Sequence, residues 1–380
     1  MPDSHCISNT MDSIEIEKQV SEYRNKRGRY QDFVNALELL VQQLLKSEDI
    51  RVVAIEGRTK DIESFRTKIE REDKPYTDPI NQVTDLAGIR IVTYLLADVE
   101  RVSAIIREAF EIDEANSINK SAALDADQFG YLSVHYVVKL NANRALLPEN
   151  KTFKDLRAEI QIRTVLQHAW AAFDHKLRYK KAEEIPDELR RELYSISALL
   201  EVADKSFESL VFKIAKLRER YSVDVVQNSI NLPLNIDSIG AYVNKNKNAK
   251  MLIDAALAAN IVLAPHPPIA ILPEFSNLLR ILRTLKIETI EDLDRFVAEF
   301  LATKSDKLAK LVESWKRRIQ TPKISLVITK DALFRWAIYL ALPPSEAKLI
   351  QDRLTMSSLI RESLDEVYGT IVDPKKSPTP

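Results

Sequence analysis

Arg58, Lys60, Ser64 and Lys68 fall within the stretch GRTKDIESFRTKIERE. Arg58 and Lys60 leave a strand just after Gly57, and Ser64 and Lys68 follow four residues apart on a helix, so Lys60, Ser64 and Lys68 share one side. Three cations and a hydroxyl near a helix N-terminus have the composition of a phosphate cradle. Asp61, Glu63, Glu70 and Glu72 balance the charge, so a solvated helix face is the plain alternative. The glycine spacing of a P-loop is absent.

Three more stretches carry polar side chains that a bare scaffold does not need. In TDLAGIRIVTY, Asp85 stands before an apolar strand, Gly88 permits close backbone approach and Arg90 leaves the strand. Asp85 there reads as a cap or turn residue or as a metal ligand. In FGYLSVHYVV, Tyr131, Ser133 and His135 form one row: a ring on which a base can stack, then a hydroxyl and an imidazole for phosphate or ribose oxygens. An ordinary two-sided strand with a satisfied histidine fits the same row. In EIQIRTVLQHAWAAFDHKLRYK, Glu159, Gln161 and Arg163 alternate with Ile160 and Ile162, which places acid, amide and base on one strand face. The helix that follows buries Leu166, Ala169, Trp170, Phe173 and Leu177 and leaves His168, Asp174, His175 and Arg178 elsewhere. His168 and His175 lie about 10 Å apart along that helix and cannot clasp one ion. Tyr179, Lys180 and Lys181 add aromatic and basic character where cations also complement the helix dipole.

The elements that must position these residues alternate. A periodic segment from Met11 to about Lys46 reads as an amphipathic helix. Then RVVAIEG is a strand, DIESFRTKIERE a helix, AGIRIVTYL a strand, DVERVSAIIREAF a helix, YLSVHYVVKL a strand and LRAEIQIR another. This pattern predicts an α/β (α+β) domain: a mixed, roughly five-stranded sheet flanked by helices. A long helical pattern follows Pro186. The expected organisation is one domain with flanking helices over 1–222, a linker over 223–236, an all-α C-terminal domain over 237–372 and a loose tail over 373–380.

With 380 residues the chain can bury roughly two cores. It is 45% hydrophobic and 29% charged with a net charge of −1, so no global basic field points to nucleic acid or membrane, and any anion site is local. Cys6 is the one cysteine, which rules out an internal disulfide framework and a thiolate metal cage. No run is long and apolar enough to span a bilayer, and the start lacks a signal-peptide core. The expectation is a cytoplasmic protein without a membrane partner.

Taken in order, the four motifs resemble the synthetase domain of RelA/SpoT-type alarmone synthetases, from about Val53 to Lys180 with helices extending to about residue 220. The carrying pieces are Gly57 to Lys68, Asp85 to Arg90, Gly130 to His135, and EIQIRT followed by His-x-Leu-x-Tyr-Lys. The resemblance implies a nucleotidyltransferase-like fold and transfer of pyrophosphate from ATP to the 3′-hydroxyl of GDP or GTP, giving (p)ppGpp. It implies Mg²⁺ held by Asp85 and Glu159, with Glu159 also activating the hydroxyl. It places Arg58, Lys60, Ser64 and Lys68 on the ATP side, and Tyr131, Ser133, His135, Gln161 and Arg163 around the acceptor and its phosphates. His175, Lys176, Tyr179 and Lys180 become the helix end that closes the pocket. Phosphoryl-type transfer is chiefly positioning and charge neutralisation, which explains these residue types.

Some positions depart from the family pattern. Asp174 replaces the usual glutamate before His175, Leu132 replaces the arginine or glutamine after the stacking tyrosine, and the second arginine against adenine is not placed. Only fifty residues precede Arg51 and the chain has no His-Asp dipeptide, so synthesis without hydrolysis is expected. Two alternatives stay open: a toxin of the same fold that pyrophosphorylates the tRNA 3′ end, using the Lys176 to Lys181 run on RNA, and a degenerate module that only binds nucleotide. The C-terminal helices suggest a regulatory part by analogy. A homo-oligomer is compatible with all of these readings.

Overall fold

The structure is a computed structural model that describes residues 12–71, 75–119, 133–178, 187–266, 273–319, 325–351, 354 and 357–369. It divides into two compact units, Met1–Val211 and Phe212–Pro380.

The first unit opens with α1 (Ser13–Ser47), started by Asp12, whose carboxylate accepts from the Glu15 N–H at 2.8 Å. Then come β1 (Ala54–Thr59), α2 (Ile62–Ile69), the single turn α3 (Pro79–Gln82), β2 (Ala87–Thr93) and α4 (Leu96–Ala109). They are followed by β3 (Phe110–Ile112), β4 (Ile118–Asn119), β5 (Val134–Leu140), α5 (Ala142–Ala145), β6 (Ala158–Thr164), α6 (Val165–Arg178) and α7 (Asp187–Val226). Five strands run in the order β1-β2-β6-β5-β3, with two-residue β4 paired to β5. The β2–β6 pair is parallel and the others are antiparallel, so the sheet is mixed, as expected from the pattern.

Register decides which side chains meet. Glu56 and Arg58 pair with Arg90 and Gly88, Gly88 and Arg90 with Glu159 and Gln161, and Gln161 with His135. Side chains alternate along each strand, so these polar residues form one face and Ile55, Ile89, Ile91, Ile160 and Ile162 the other. The apolar face joins Phe33, Val34, Leu37 and Val41 of α1 and Val102 and Ile106 of α4 in one buried core. Each fully buried side chain of this size stabilises by about 1.5–3 kcal/mol.

At Gly57 α1 lies close against the sheet. A Cβ there would sit 2.5 Å from Val34 Cγ1 and 2.7 Å from a Glu38 carboxylate oxygen. Gly57→Ala is therefore expected to destabilise the unit by about 1–3 kcal/mol, read as a lower urea midpoint. A midpoint equal to the parent's would show that α1 gives way freely.

The second unit consists of α8 (Ile236–Lys245), α9 (Lys247–Ala258), β7 (Ile261–Ala264), α10 (Ser276–Thr284), α11 (Ile290–Thr303), α12 (Asp306–Ile319), β8 (Leu326–Thr329), α13 (Lys330–Ala341), α14 (Pro344–Ile350) and α15 (Ser358–Tyr368). It is largely helical, as expected, with one short parallel pair, β7 and β8, among its helices. Four-residue strands fall below what periodicity resolves. The 223–236 linker is corrected. Tyr221, Val225, Ile230 and Leu234 lie in the core of this unit, α7 continues to Val226, and the Leu234 N–H donates to the Glu288 carbonyl at 3.0 Å. The Asn/Pro-rich spelling of that segment conceals its buried isoleucine and leucine. Among the described residues no helix is long and apolar enough to cross a membrane.

Candidate functional site

Lys60 emerges at the end of β1 in a fixed position. Its carbonyl accepts from the Tyr23 hydroxyl at 2.7 Å and from Arg27 Nε at 3.3 Å, both on α1, and its N–H donates to the Leu86 carbonyl at 3.0 Å. Burial pushes the Tyr23 hydroxyl pKa up to about 12, so it remains a donor. Asp61 caps α2 and aims the next turn, which carries Ser64 and Lys68. Lys60 Nζ and Lys68 Nζ then converge on Asp85, at 2.7 Å from one oxygen and 3.0 Å from the other. Burial would raise the proton affinity of Asp85, but the two ammonium groups outweigh it and hold its pKa below the ordinary carboxylate value.

A second cluster grows from β5 and β6. His135 Nδ1 lies 2.7 Å from Glu159 Oε1, its Nε2 lies 2.7 Å from Ser133 Oγ, and Gln161 Nε2 donates to Glu159 Oε2 at 3.3 Å. Burial works to protonate Glu159, as does the negative charge of Asp85. The His135 hydrogen bond prevails, and the Glu159 pKa stays below its ordinary value. Arg163 donates to Gln161 Oε1, which leaves it linked to Glu159 through one amide. Burial, and then repulsion from Arg90, lower the Arg163 pKa to about 10, still cationic at neutral pH.

These clusters border open space. A cavity of about 770 Å³ is lined by Arg58, Thr59, Lys60, Ser64, Asp85, Arg90, Gln161, Arg163 and His168, among others. A second cavity of about 350 Å³ is lined by Glu56, Gly57, Arg58, Gly88, Arg90, Glu159 and Gln161. Buried Nε atoms of Arg90 and Arg163, and Nδ1 of His168, have no hydrogen-bond partner among the described residues. Buried polar atoms are rarely left so, and three around one cavity fit an anionic ligand.

Of the expected site residues, the structure brings together Arg58, Lys60, Ser64, Asp85, Gln161 and Arg163 around the larger cavity, and Ser133, His135 and Glu159 in the neighbouring cluster. Lys68 reaches the site through Asp85. His135, expected around the acceptor and its phosphates, is hydrogen-bonded to Ser133 and Glu159. Lys176 is exposed near the end of α6. Tyr131, Tyr179 and Lys180 lie outside the described residues, as does the side chain of His175. Three participants have no site role assigned by the motifs. Arg90 was visible as a cation on the polar parity of its strand, and Glu56, which accepts from it at 3.2 Å, shares parity with Arg58. His168 was weighed only as half of a metal pair. Burial, together with Arg90 and Arg163, keeps its pKa below the ordinary imidazole value.

For a divalent cation, two carboxylates are at hand, Asp85 held by Lys60 and Lys68 and Glu159 held by His135 and Gln161, and among the described residues no three His, Cys, Asp or Glu side chains gather into a cage. Mg²⁺ is commonly held by one or two carboxylates completed by water and substrate phosphates.

Residues 57–184 match the family model described as "Region found in RelA / SpoT proteins". The chain is 26% identical over 151 residues to GTP pyrophosphokinase YwaC of Bacillus subtilis (strain 168), a match covering 39% of this chain and 69% of that protein. It is 26% identical over 170 residues to GTP pyrophosphokinase YjbM of the same organism, covering 44% and 76%. Among solved structures it is similar to the small alarmone synthetase 1 from Bacillus subtilis bound to its product pppGpp, with 24% identity, a TM-score of 0.43 and coverage of 51% and 99%.

Proposed function

We propose that this chain, whose residues 57–184 are a RelA/SpoT region, transfers the β,γ-pyrophosphate of ATP to the 3′-hydroxyl of GDP or GTP. The observation that carries the reading is the gathering of Arg58, Lys60, Arg90 and Arg163 around one cavity with Asp85, with Glu159 lining the adjoining one. Such a transfer needs neutralisation of phosphate oxygens and one base, and little else.

In this reading Arg58, Lys60 and Ser64 bind the donor's phosphates, and Lys68 joins them by releasing Asp85. Arg90, across from Arg58 in both cavities, fits the second arginine against the adenine. Asp85 and Glu159 would hold Mg²⁺, which when bound supplies Lewis-acid polarisation of the phosphate oxygens. Glu159 takes the proton from the 3′-hydroxyl. The freed oxygen bonds to the β-phosphorus, the bond from that phosphorus to the bridging oxygen of the α-phosphate breaks, and AMP leaves. His135 and Gln161 hold the two Glu159 oxygens and so aim the base, while Arg163 faces the charge that develops. Ser133 fixes His135.

The test supplies ATP labelled at the α, β or γ phosphate, with Mg²⁺, to GDP, GTP, ATP and bulk tRNA in parallel. The β and γ labels are expected to move together onto GDP or GTP, and the α label to remain in AMP. Label on tRNA and on no nucleotide would replace this reading with tRNA 3′-end modification. Nucleotide binding without any label transfer would leave a binding module.

A further inference from the structure

Both carboxylate oxygens of Asp85 are engaged by ammonium groups, Lys60 Nζ at 2.7 Å from one and Lys68 Nζ at 3.0 Å from the other. Lys60 stands at the end of β1 with its backbone pinned to α1 and to Leu86, and Lys68 lies one turn beyond Ser64 on α2. Their side chains are 12% and 29% exposed, so Lys68 is the freer of the two. A divalent ion placed on either oxygen would stand within about 5 Å of two like charges in an enclosed site, where water screens little.

The surroundings sharpen that conflict. Arg58, Arg90 and Arg163 line the same cavity. Its other lining carboxylate, Asp61, accepts from the Glu63 and Ser64 N–H groups at the start of α2. Asp85 is thus the carboxylate that neutralises Lys60 and Lys68, and neither can leave it without another anion to go to.

We infer that Lys60 and Lys68 close Asp85 to a divalent cation until a polyphosphate draws the two ammonium groups away, so that cation and donor enter the site together. The identity of that polyphosphate, ATP, rests on the transfer proposed for the site. A triphosphate offers the lysines several charged oxygens in place of the two of one carboxylate. It also brings oxygens of its own to complete the shell of Mg²⁺, which is seldom held by protein groups alone. The coupling is reciprocal. Whatever frees Asp85 raises its affinity for the cation, and a cation on Asp85 leaves the lysines to the phosphates. The contact therefore keeps the site from filling with a cation that has no substrate.

Mn²⁺ takes the same kind of oxygen ligands as Mg²⁺, and its binding to the full chain is read from loss of the free-ion paramagnetic resonance signal. Without nucleotide the parent is expected to show no saturable site tighter than about 1 mM. Lys68→Gln keeps a hydrogen-bond donor but removes the charge, and is expected to gain a site at least about tenfold tighter than that limit. Adding Asp85→Asn should abolish the gain. Lys60→Gln is expected to act in the same direction and serves where Lys68→Gln does not fold. With α,β-methylene-ATP, whose α–β link cannot be cleaved, manganese should be retained with the parent on a desalting column at least about tenfold more tightly than with Asp85→Asn. A nucleotide-free parent site tighter than the limit, folded lysine variants no tighter than the parent, a gain that survives Asp85→Asn, or equal retention with the analogue overturns the clamp. Labelled ATP given to the parent reports separately on the transfer. Label moving to GDP or GTP while the lysine variants gain no site sinks the clamp alone, and the expected manganese pattern in a parent that moves no label sinks the transfer alone.

Discussion

Glu159→Gln is expected to reduce the transfer rate at least a thousandfold, a loss of about 4 kcal/mol in the transition state. The KM for ATP is expected to stay within a few-fold. The substitution keeps the length and shape of the side chain and removes its charge and its basicity. One carbonyl oxygen remains to accept the contact that His135 Nδ1 makes at 2.7 Å, while the weaker 3.3 Å bond from Gln161 is exchanged for an amide facing an amide. Stability therefore changes by no more than about 1 kcal/mol, the worth of one neutral hydrogen bond. Arg58, Lys60 and Ser64 line their cavity as before, so the donor still binds. A rate-specific loss is the signature of an interaction made only in the transition state. A folded variant that retains a tenth of the parent rate removes Glu159 from the chemistry.

The polar face of the sheet was legible because alternation along a strand is a local property. Glu159, Gln161 and Arg163 could be placed on one face from spelling alone, and register then added Arg90, Arg58 and His135 to it. What a partner does to a side chain is not local. That Lys60 and Lys68 both turn to Asp85, and that His135 turns to Glu159, depends on contacts between residues 17 to 25 apart in the chain. Gly57 was read as the end of a strand, whereas its reason is the approach of Val34 and Glu38 from α1. The segment after Val223 failed for a related reason: asparagine, serine and proline signal a loop, but they do not say whether the loop is packed. Ile230 and Leu234 were the signal, two apolar residues four apart in a polar stretch, and they sit in the second core. The long helix after Pro186 was evident in outline, and its exposed face was not, since helical periodicity gives a stripe without saying which side meets the protein.

Asp85→Asn is expected to be as damaging to transfer as the loss of Glu159, and unlike it to weaken the fold. The carboxylate stands between Lys60 and Lys68 with only 13% of its side chain exposed. Neutralising it leaves two largely enclosed ammonium groups facing an amide, beside a cavity already lined by Arg58, Arg90 and Arg163. Removing one partner of such an enclosed ionic group costs about 3–5 kcal/mol in a fully buried setting; with Lys68 29% exposed and able to turn to water, about 1–3 kcal/mol is expected here. The dependence on pH separates this from a packing defect. The folded-state pKa of Asp85 lies below its ordinary 3.8. Its stabilising contribution is therefore complete above that value and drains away as the pH falls through the lower folded-state value. Urea midpoints of the parent should drop more steeply than those of Asp85→Asn as the pH falls below about 4, so that the two curves converge on the acid side. Curves that run parallel over that window would show that Asp85 contributes no charge-dependent stability. The transfer rate, measured at neutral pH where the variant is folded, should fall at least a thousandfold and recover little with added Mg²⁺, because the carboxylate proposed to hold that ion is gone.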